Sequence, residues 1–272
     1  MINNREGVRF SFLKKQKCKV LILGDVDTGK TYLAFSLIKE ALKYHRKIGF
    51  LCTDLGQSAV GPPGCVSFKV FTRGDKISSS SSLIIPDIID FVGSLSPAGV
   101  EIFHLASTKI VLEKALKQAE FIVINTTGYI RPIAAQSLKV LKIRLISPEV
   151  IIAITKRREL SYILDNFSKS SITLYTLKKS VKVKRKSKRE RAEFRLKLFR
   201  AYFKKAHSLS FKVRSSYFSS NMVIGLLDRE FTTLALGLVK RKFNSRIEII
   251  APPFRGKVSY LRPSSIIIPE SL

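Results

Sequence analysis

The sequence predicts an α/β fold: a three-layer sandwich around a mostly parallel sheet, extended by a basic helix and a small β-rich C-terminal appendage. Three observations lead there. Over residues 1–177, short continuous apolar runs alternate with amphipathic segments, as in βαβ units whose strands are covered on both faces. A glycine-rich turn joins the first apolar run to a helix-like segment. Beyond residue 178 the composition turns abruptly basic.

The elements follow in order. Val20–Leu23 is the first predicted strand and Lys30–Lys43 the first helix, with Leu33, Leu37 and Ala41 on one face. Ile48–Thr53 is a second strand, closed by the glycine- and proline-rich Gly56–Gly64. Ser78–Ser82 reads as a flexible loop. Thr108–Ala119 and Ile133–Leu141 have helical spacing, whereas Phe121–Asn125 and Val150–Ile154 read as parallel strands. Lys178–Lys205 carries fourteen basic residues against two acidic ones. Its second half predicts a helix with Phe194, Leu198 and Tyr202 on one stripe and Lys188, Arg191 and Arg195 on another. Beyond His207, runs such as MVIGLL, TLALGLV and RIEIIAPP predict short strands. The expected organisation is a core over 1–177, a basic helical segment over 178–206 and a β-rich domain over 207–272.

Composition narrows the chemistry. Forty-nine Lys and Arg against 20 Asp and Glu give a net charge of +29, which favours a polyanionic partner such as nucleic acid. Three scattered cysteines and three scattered histidines exclude a disulfide framework or a zinc site of ordinary spacing. No run is apolar enough to predict a membrane-spanning helix, and no secretory h-region is visible. The expectation is a cytoplasmic protein without a membrane partner.

The glycine-rich turn is specific. Gly24-Asp25-Val26-Asp27-Thr28-Gly29-Lys30-Thr31 satisfies G-x4-G-K-[ST] between a predicted strand and a predicted helix, the context of a phosphate-binding P-loop. Gly24, Asp27, Thr28, Gly29, Lys30, Thr31 and Tyr32 are the candidate nucleotide-binding residues, wrapping phosphates with backbone N–H groups and the helix N-terminus. Lys30 would reach the β- and γ-phosphates, and Thr31 would hold Mg²⁺. Asp54 ends the second strand, which this reading places beside the P-loop. There it could bind Mg²⁺ or take a proton from an attacking hydroxyl, with Gln57 close by.

Four stretches in order carry a family resemblance. TDLGQSAVGPPG, from Thr53, resembles the D-x-G-Q-S-x-x-x-P-P-G element of the polynucleotide 5′-hydroxyl kinases, the RNA kinases related to the pre-mRNA cleavage factor and rRNA-processing enzymes. FVGSLSPAG (Phe91–Gly99) is similar to that family's F-V-G-x-x-S-P-x-G, and INTTGYIRP (Ile124–Pro132) to its N-T-x-G-W. KSKRERAEFRLKLFRAYF (Lys186–Phe203) resembles its lid, R-S-x-x-x-R followed by a helix ending in Tyr-Phe. The resemblance implies transfer of the γ-phosphoryl group of ATP or GTP, with Mg²⁺, to the 5′-hydroxyl of RNA, with DNA left open as an acceptor. Lys30, Asp54, Lys186 and Arg191 would be catalytic. Asp54 would be general base or metal-side carboxylate, and Lys186 and Arg191 lid cations. Gln57, Thr126, Gly128, Tyr129 and Arg131 would serve the substrate, Tyr129 stacking on the terminal base.

The sequence departs from that pattern at three positions. Cys52 stands where many members carry a second acidic residue, Tyr129 where Trp is usual, and Lys186 where the first lid Arg is usual, with Arg185 one position away. The competing reading is an RNA-binding or ribosome-assembly NTPase without kinase activity. The lack of N-K-x-D ranks a switch GTPase below both readings.

Overall fold

The computed structural model describes residues 10–75, 77, 83–213 and 217–269; the serine run at 78–82 lies outside them. A short 3-10 turn, Ser11–Lys14, precedes β1 (Cys18–Gly24). There follow α1 (Lys30–Ala41), β2 (Lys47–Thr53), β3 (Cys65–Thr72), β4 (Ile88–Phe91), α2 (Glu101–Leu116), β5 (Phe121–Thr126), α3 (Ile133–Ile146), β6 (Val150–Thr155), α4 (Ser161–Leu164) and β7 (Thr173–Lys178). The basic helix α5 spans Lys188–Phe203, and β8 (His207–Lys212), β9 (Val223–Leu227), β10 (Thr233–Phe243), β11 (Arg246–Ala251) and β12 (Tyr260–Arg262) complete the chain.

One sheet has the order β4-β3-β2-β5-β1-β6-β7. Strands β2, β5, β1, β6 and β7 are parallel, whereas β3 and β4 join antiparallel at one edge. Period-two geometry splits each central strand between two layers. Val20 and Ile22 pack with Leu37 and Ile38 of α1, and Leu21 and Leu23 pack with Val111 and Leu112 of α2 and Ile143 of α3. The strands therefore read as unbroken apolar runs because both faces are covered.

The order corrects one expectation. Strand β2 is not the neighbour of β1, because β5 stands between them. Parallel strands present all their carboxyl ends on one side, so Asp54 after β2, Thr127 after β5 and the loop after β1 still emerge together.

The C-terminal strands form a separate antiparallel sheet, β12-β9-β10-β11-β8. A third apolar cluster joins it to the core: Phe91 and Cys65 meet Phe199 and Phe203 of α5, Val223 and Leu236 of the second sheet, and Ile266 beyond β12. Polar ties reinforce that seam, with Phe91 N donating to Thr233 Oγ1 at 3.0 Å and Arg262 Nη1 to Phe91 O at 2.6 Å.

Helix α5 starts inside the R-S-x-x-x-R-like element rather than after it, because Ser187 and Glu190 form a reciprocal capping box. Its fully buried stripe is Leu198, Phe199 and Phe203, one step round from the predicted Phe194, Leu198 and Tyr202. Tyr202 instead turns its hydroxyl to accept from Leu236 N at 3.0 Å, and Phe194 lies under the Lys186 ammonium, 5.2 Å from its ring centre. Helices α2 and α3 are longer than predicted, starting at Glu101 and running on to Ile146.

Candidate active site

The P-loop leaves β1 at Gly24 and enters α1 at Lys30. Gly29, at φ +92°, occupies the left-handed region that lets the loop's N–H groups turn inward. Thr28 Oγ1 and Lys30 Nζ donate to Asp25 O at 2.9 and 2.7 Å, folding the loop on itself. Burial pushes the Lys30 amine below its ordinary value, opposed by the carboxylates of Asp54, Asp25 and Asp27. A group kept in this way is ready to take an anionic partner.

Around this loop is a cavity of about 180 Å³. It is lined by Asp27, Thr28, Gly29, Lys30, Thr31 and Tyr32, by Asp54 and Gln57 after β2, by Gly128 after β5, and by Val183, Lys184, Lys186 and Arg191 from the basic segment. Residues far apart in the chain thus share one wall-to-wall space.

Asp54 is half-buried, and its Oδ1 accepts from Gly56 N and Gln57 N, both at 3.1 Å. One carboxylate oxygen fixes the turn, which leaves the other with acceptor capacity. Gln57 Nε2 donates to Gly56 O at 3.0 Å and to Arg191 O at 3.4 Å, so the turn also meets the basic helix. Asp27 holds the basic segment from the P-loop side: its Oδ2 accepts from Lys186 N at 3.0 Å and from Arg191 Nη2.

Asn125, the last apolar-run residue of the FIVIN stretch, donates from Nδ2 to Thr31 Oγ1 at 3.3 Å. Its Oδ1 and Gln57 Oε1 are buried acceptors without a partner among the described residues. Orphaned carbonyl-type oxygens of this kind call for an explanation. Gln57 Oε1 lines the same cavity as the Thr31 hydroxyl and the Asp54 carboxylate, and hard oxygen donors of this kind suit Mg²⁺ better than a softer metal.

Four sequence-predicted residues lie outside the cavity wall. Gly24 ends β1, tight against Thr28 Oγ1. Thr126 is wholly buried in β5 and donates its hydroxyl to Ile22 O at 2.8 Å, a tie between strands. Tyr129 is half-buried beside Glu101, donating to its Oε1 at 3.3 Å. Arg131, 80% exposed, pairs with Asp25 at 3.1 Å.

Sequence reasoning passed over Asp25 and Asn125. Asp25 is a hub: burial raises its carboxyl, but the Val26 N–H, Arg131 and Lys156 outweigh that and hold it below the usual range. Its signal was a second acid inside an anion-binding loop, which only makes sense as a counter-charge. Asn125 was visible as the polar end of an otherwise apolar strand.

Residues 24–205 match the family described as mRNA cleavage and polyadenylation factor CLP1 P-loop. A polyribonucleotide 5′-hydroxyl-kinase of Pyrococcus furiosus is 33% identical over 201 residues, covering 74% of this chain and 55% of the relative. One of Methanocaldococcus jannaschii is 35% identical over 190 residues, covering 68% and 50%. The chain thus spans about half the length of the curated relatives it matches. Among solved structures, a wild-type Clp1p–Pcf11p complex superposes with a TM-score of 0.72 at 13% identity over 92% of this chain and 74% of that one, a likeness of fold. The matched span runs from the first P-loop glycine to the end of the basic helix, taking in every wall of the cavity, and the chain belongs to this CLP1 P-loop family.

Proposed function

We propose that the protein is a polynucleotide 5′-hydroxyl kinase, which moves the γ-phosphoryl group of ATP or GTP to the 5′-hydroxyl of RNA. One observation carries this reading: a complete P-loop, the Asp54–Gln57 turn and the cations Lys186 and Arg191 line one small cavity. A nucleotide switch needs the P-loop but not a carboxylate poised opposite it and a basic helix over it.

In this reading the backbone N–H groups of the P-loop and the Lys30 ammonium hold the donor phosphates. Thr31, Asp54 and Gln57 would supply oxygens for Mg²⁺, which when bound would offset charge on the donor phosphates. Asp54 faces the acceptor side and takes the 5′-hydroxyl proton as the oxygen attacks. Arg191 releases Asp27, the Lys186 ammonium leaves the Phe194 ring, and both turn to the transferring group, whose charge they balance. Tyr129 and Arg131, at the mouth of the loop after β5, are placed to meet the first nucleotide, the tyrosine by stacking and the arginine by phosphate contact. Thr126 serves by holding that loop's base to β1.

The test uses γ-labelled ATP and GTP, a 5′-hydroxyl RNA and a matching DNA. Wild type should label RNA, and Asp54→Ala should lower the rate about 10²- to 10⁴-fold, the range for a lost general base. Label released only as free phosphate would leave an NTPase and refute the kinase.

A further inference from the structure

Behind the cavity wall lie three titratable side chains that the proposed chemistry does not use. Lys139 and Lys142 are on the inner face of α3, and His104 is on α2; their exposures are 0%, 1% and 0%. Their helix neighbours Leu138, Ile143 and Ile146 are the apolar residues expected there. A lysine on such a face is costly unless its amine is satisfied.

Both amines reach the carboxyl ends of strands. Lys139 Nζ donates to Thr127 O at 2.6 Å, and Lys142 Nζ donates to Thr53 Oγ1 at 3.2 Å. Thr53 is the residue before Asp54, and Thr127 the residue before Gly128. Thr53 Oγ1 in turn donates to Asn125 O at 3.1 Å, which joins the two strand ends. His104 Nε2 lies 2.9 Å from Thr53 O and 3.0 Å from Lys142 Nζ. With a proton it donates to the carbonyl, and without one it accepts from the lysine. One helix therefore fastens the two loops that carry Asp54 and the Gly128 turn.

The groups facing these amines come from every neighbouring element. Burial lowers Lys142 to about 7, opposed by Asp54 and Cys52 from β2 and its loop. Burial, Lys142 and Lys30 hold Lys139 well below the ordinary lysine value, against Asp54. Burial and the two lysines do the same to His104. An amine donates N–H in either protonation state, so the ties do not depend on the charge.

We propose that Lys139 and Lys142 are positioning residues for the acceptor side of phosphoryl transfer: their buried amines hold the ends of β5 and β2 so that Asp54 and the Gly128 turn face the donor phosphate together. This rests on the kinase reading above. Neither lysine lines the cavity, and the P-loop is anchored separately through Asp25. Loss of an amine should therefore misplace the acceptor more than the donor, and water should capture the phosphoryl group more often.

The experiment follows γ-labelled ATP with a 5′-hydroxyl RNA and counts label on RNA against label released as phosphate. Lys139→Met and Lys142→Met should each lower that ratio by roughly 10- to 100-fold, the cost of a misplacement near 1 Å, with KM for ATP nearly unchanged in Lys142→Met, whose tie is to the end of β2. A ratio that stays at the wild-type value, whether or not both rates fall together, overturns the proposal, since a merely structural loss reduces the active fraction alone. Should a methionine variant not fold, Thr53→Val removes the hydroxyl that Lys142 reaches and carries the same expectation. A wild type that yields free phosphate alone overturns the kinase reading, and the positioning proposal with it.

Discussion

A β-carbon added at Gly128 would fall 2.5 Å from Val26 N, 2.6 Å from Val26 Cγ1 and 2.7 Å from Val26 Cα. Two of those atoms are P-loop backbone, so the loop after β5 must lie directly on the phosphate-binding turn. Gly128→Ala should force the two apart, costing about 1–3 kcal/mol of stability and roughly tenfold or more in nucleotide affinity. Thermal melts and titration with a fluorescent ATP analogue check this; unchanged affinity would contradict the close approach. The sequence motif offered Gly128 as a substrate contact; it lines the cavity, and the packing adds a backbone constraint that the motif does not show. Thr126 teaches the same lesson, since strand alternation turns its hydroxyl to Ile22 O rather than to the cavity. Short motifs name positions, and only the register of a strand decides which way each side chain points.

Helix α5 is packed on the second sheet at its C-terminal half and tied to the P-loop near its start. Asp27 accepts from both Lys186 N and Arg191 Nη2, and its side chain is 12% exposed. A charge-assisted contact in such a place outweighs an ordinary surface pair. Asp27→Asn should loosen the helix, raising amide exchange across Lys188–Phe203 on the order of tenfold in the nucleotide-free protein; unaltered exchange would show that Asp27 is no latch. The helix was legible because apolar residues recur every three to four positions amid a run of charge. Its exact buried stripe was not, since Leu198, Phe199 and Phe203 share the choice of face with a second sheet. Strands β3, β4 and β7 went unread for physical reasons. Strand β7 is an edge strand, mostly exposed, and lacks an apolar run. Strand β4 is four residues long. Strand β3 mixes Lys69 and Ser67 into its alternation.

On the scale of the whole molecule, buried amines set a pH dependence. Burial takes Lys142 from 10.5 down to about 7, and Lys139 and His104 move in the same direction. Between about pH 7 and the ordinary lysine value the unfolded chain binds more protons than the folded one, so stability rises as pH climbs through that window. The part due to Lys142 is about a few kcal/mol. Melting temperatures at about pH 7 and about pH 9.5 should therefore diverge more in wild type than in Lys142→Met, and an equal rise in both would refute a depressed Lys142. The four central parallel strands and the phosphate loop were legible, because covered strands and a G-x4-G-K-T turn leave unmistakable patterns. The strand order, and with it the buried amines under Asp54, was not, because only long-range pairing sets β5 between β1 and β2. The central claim is that a hydroxyl at an RNA end, rather than water, receives the phosphoryl group. Mass spectrometry of a 5′-hydroxyl RNA after incubation with wild-type protein, ATP and Mg²⁺ tests it most directly. The account predicts a gain of one phosphoryl group, made sensitive to a 5′-phosphate-dependent exonuclease; consumption of ATP with the RNA mass unchanged would contradict it.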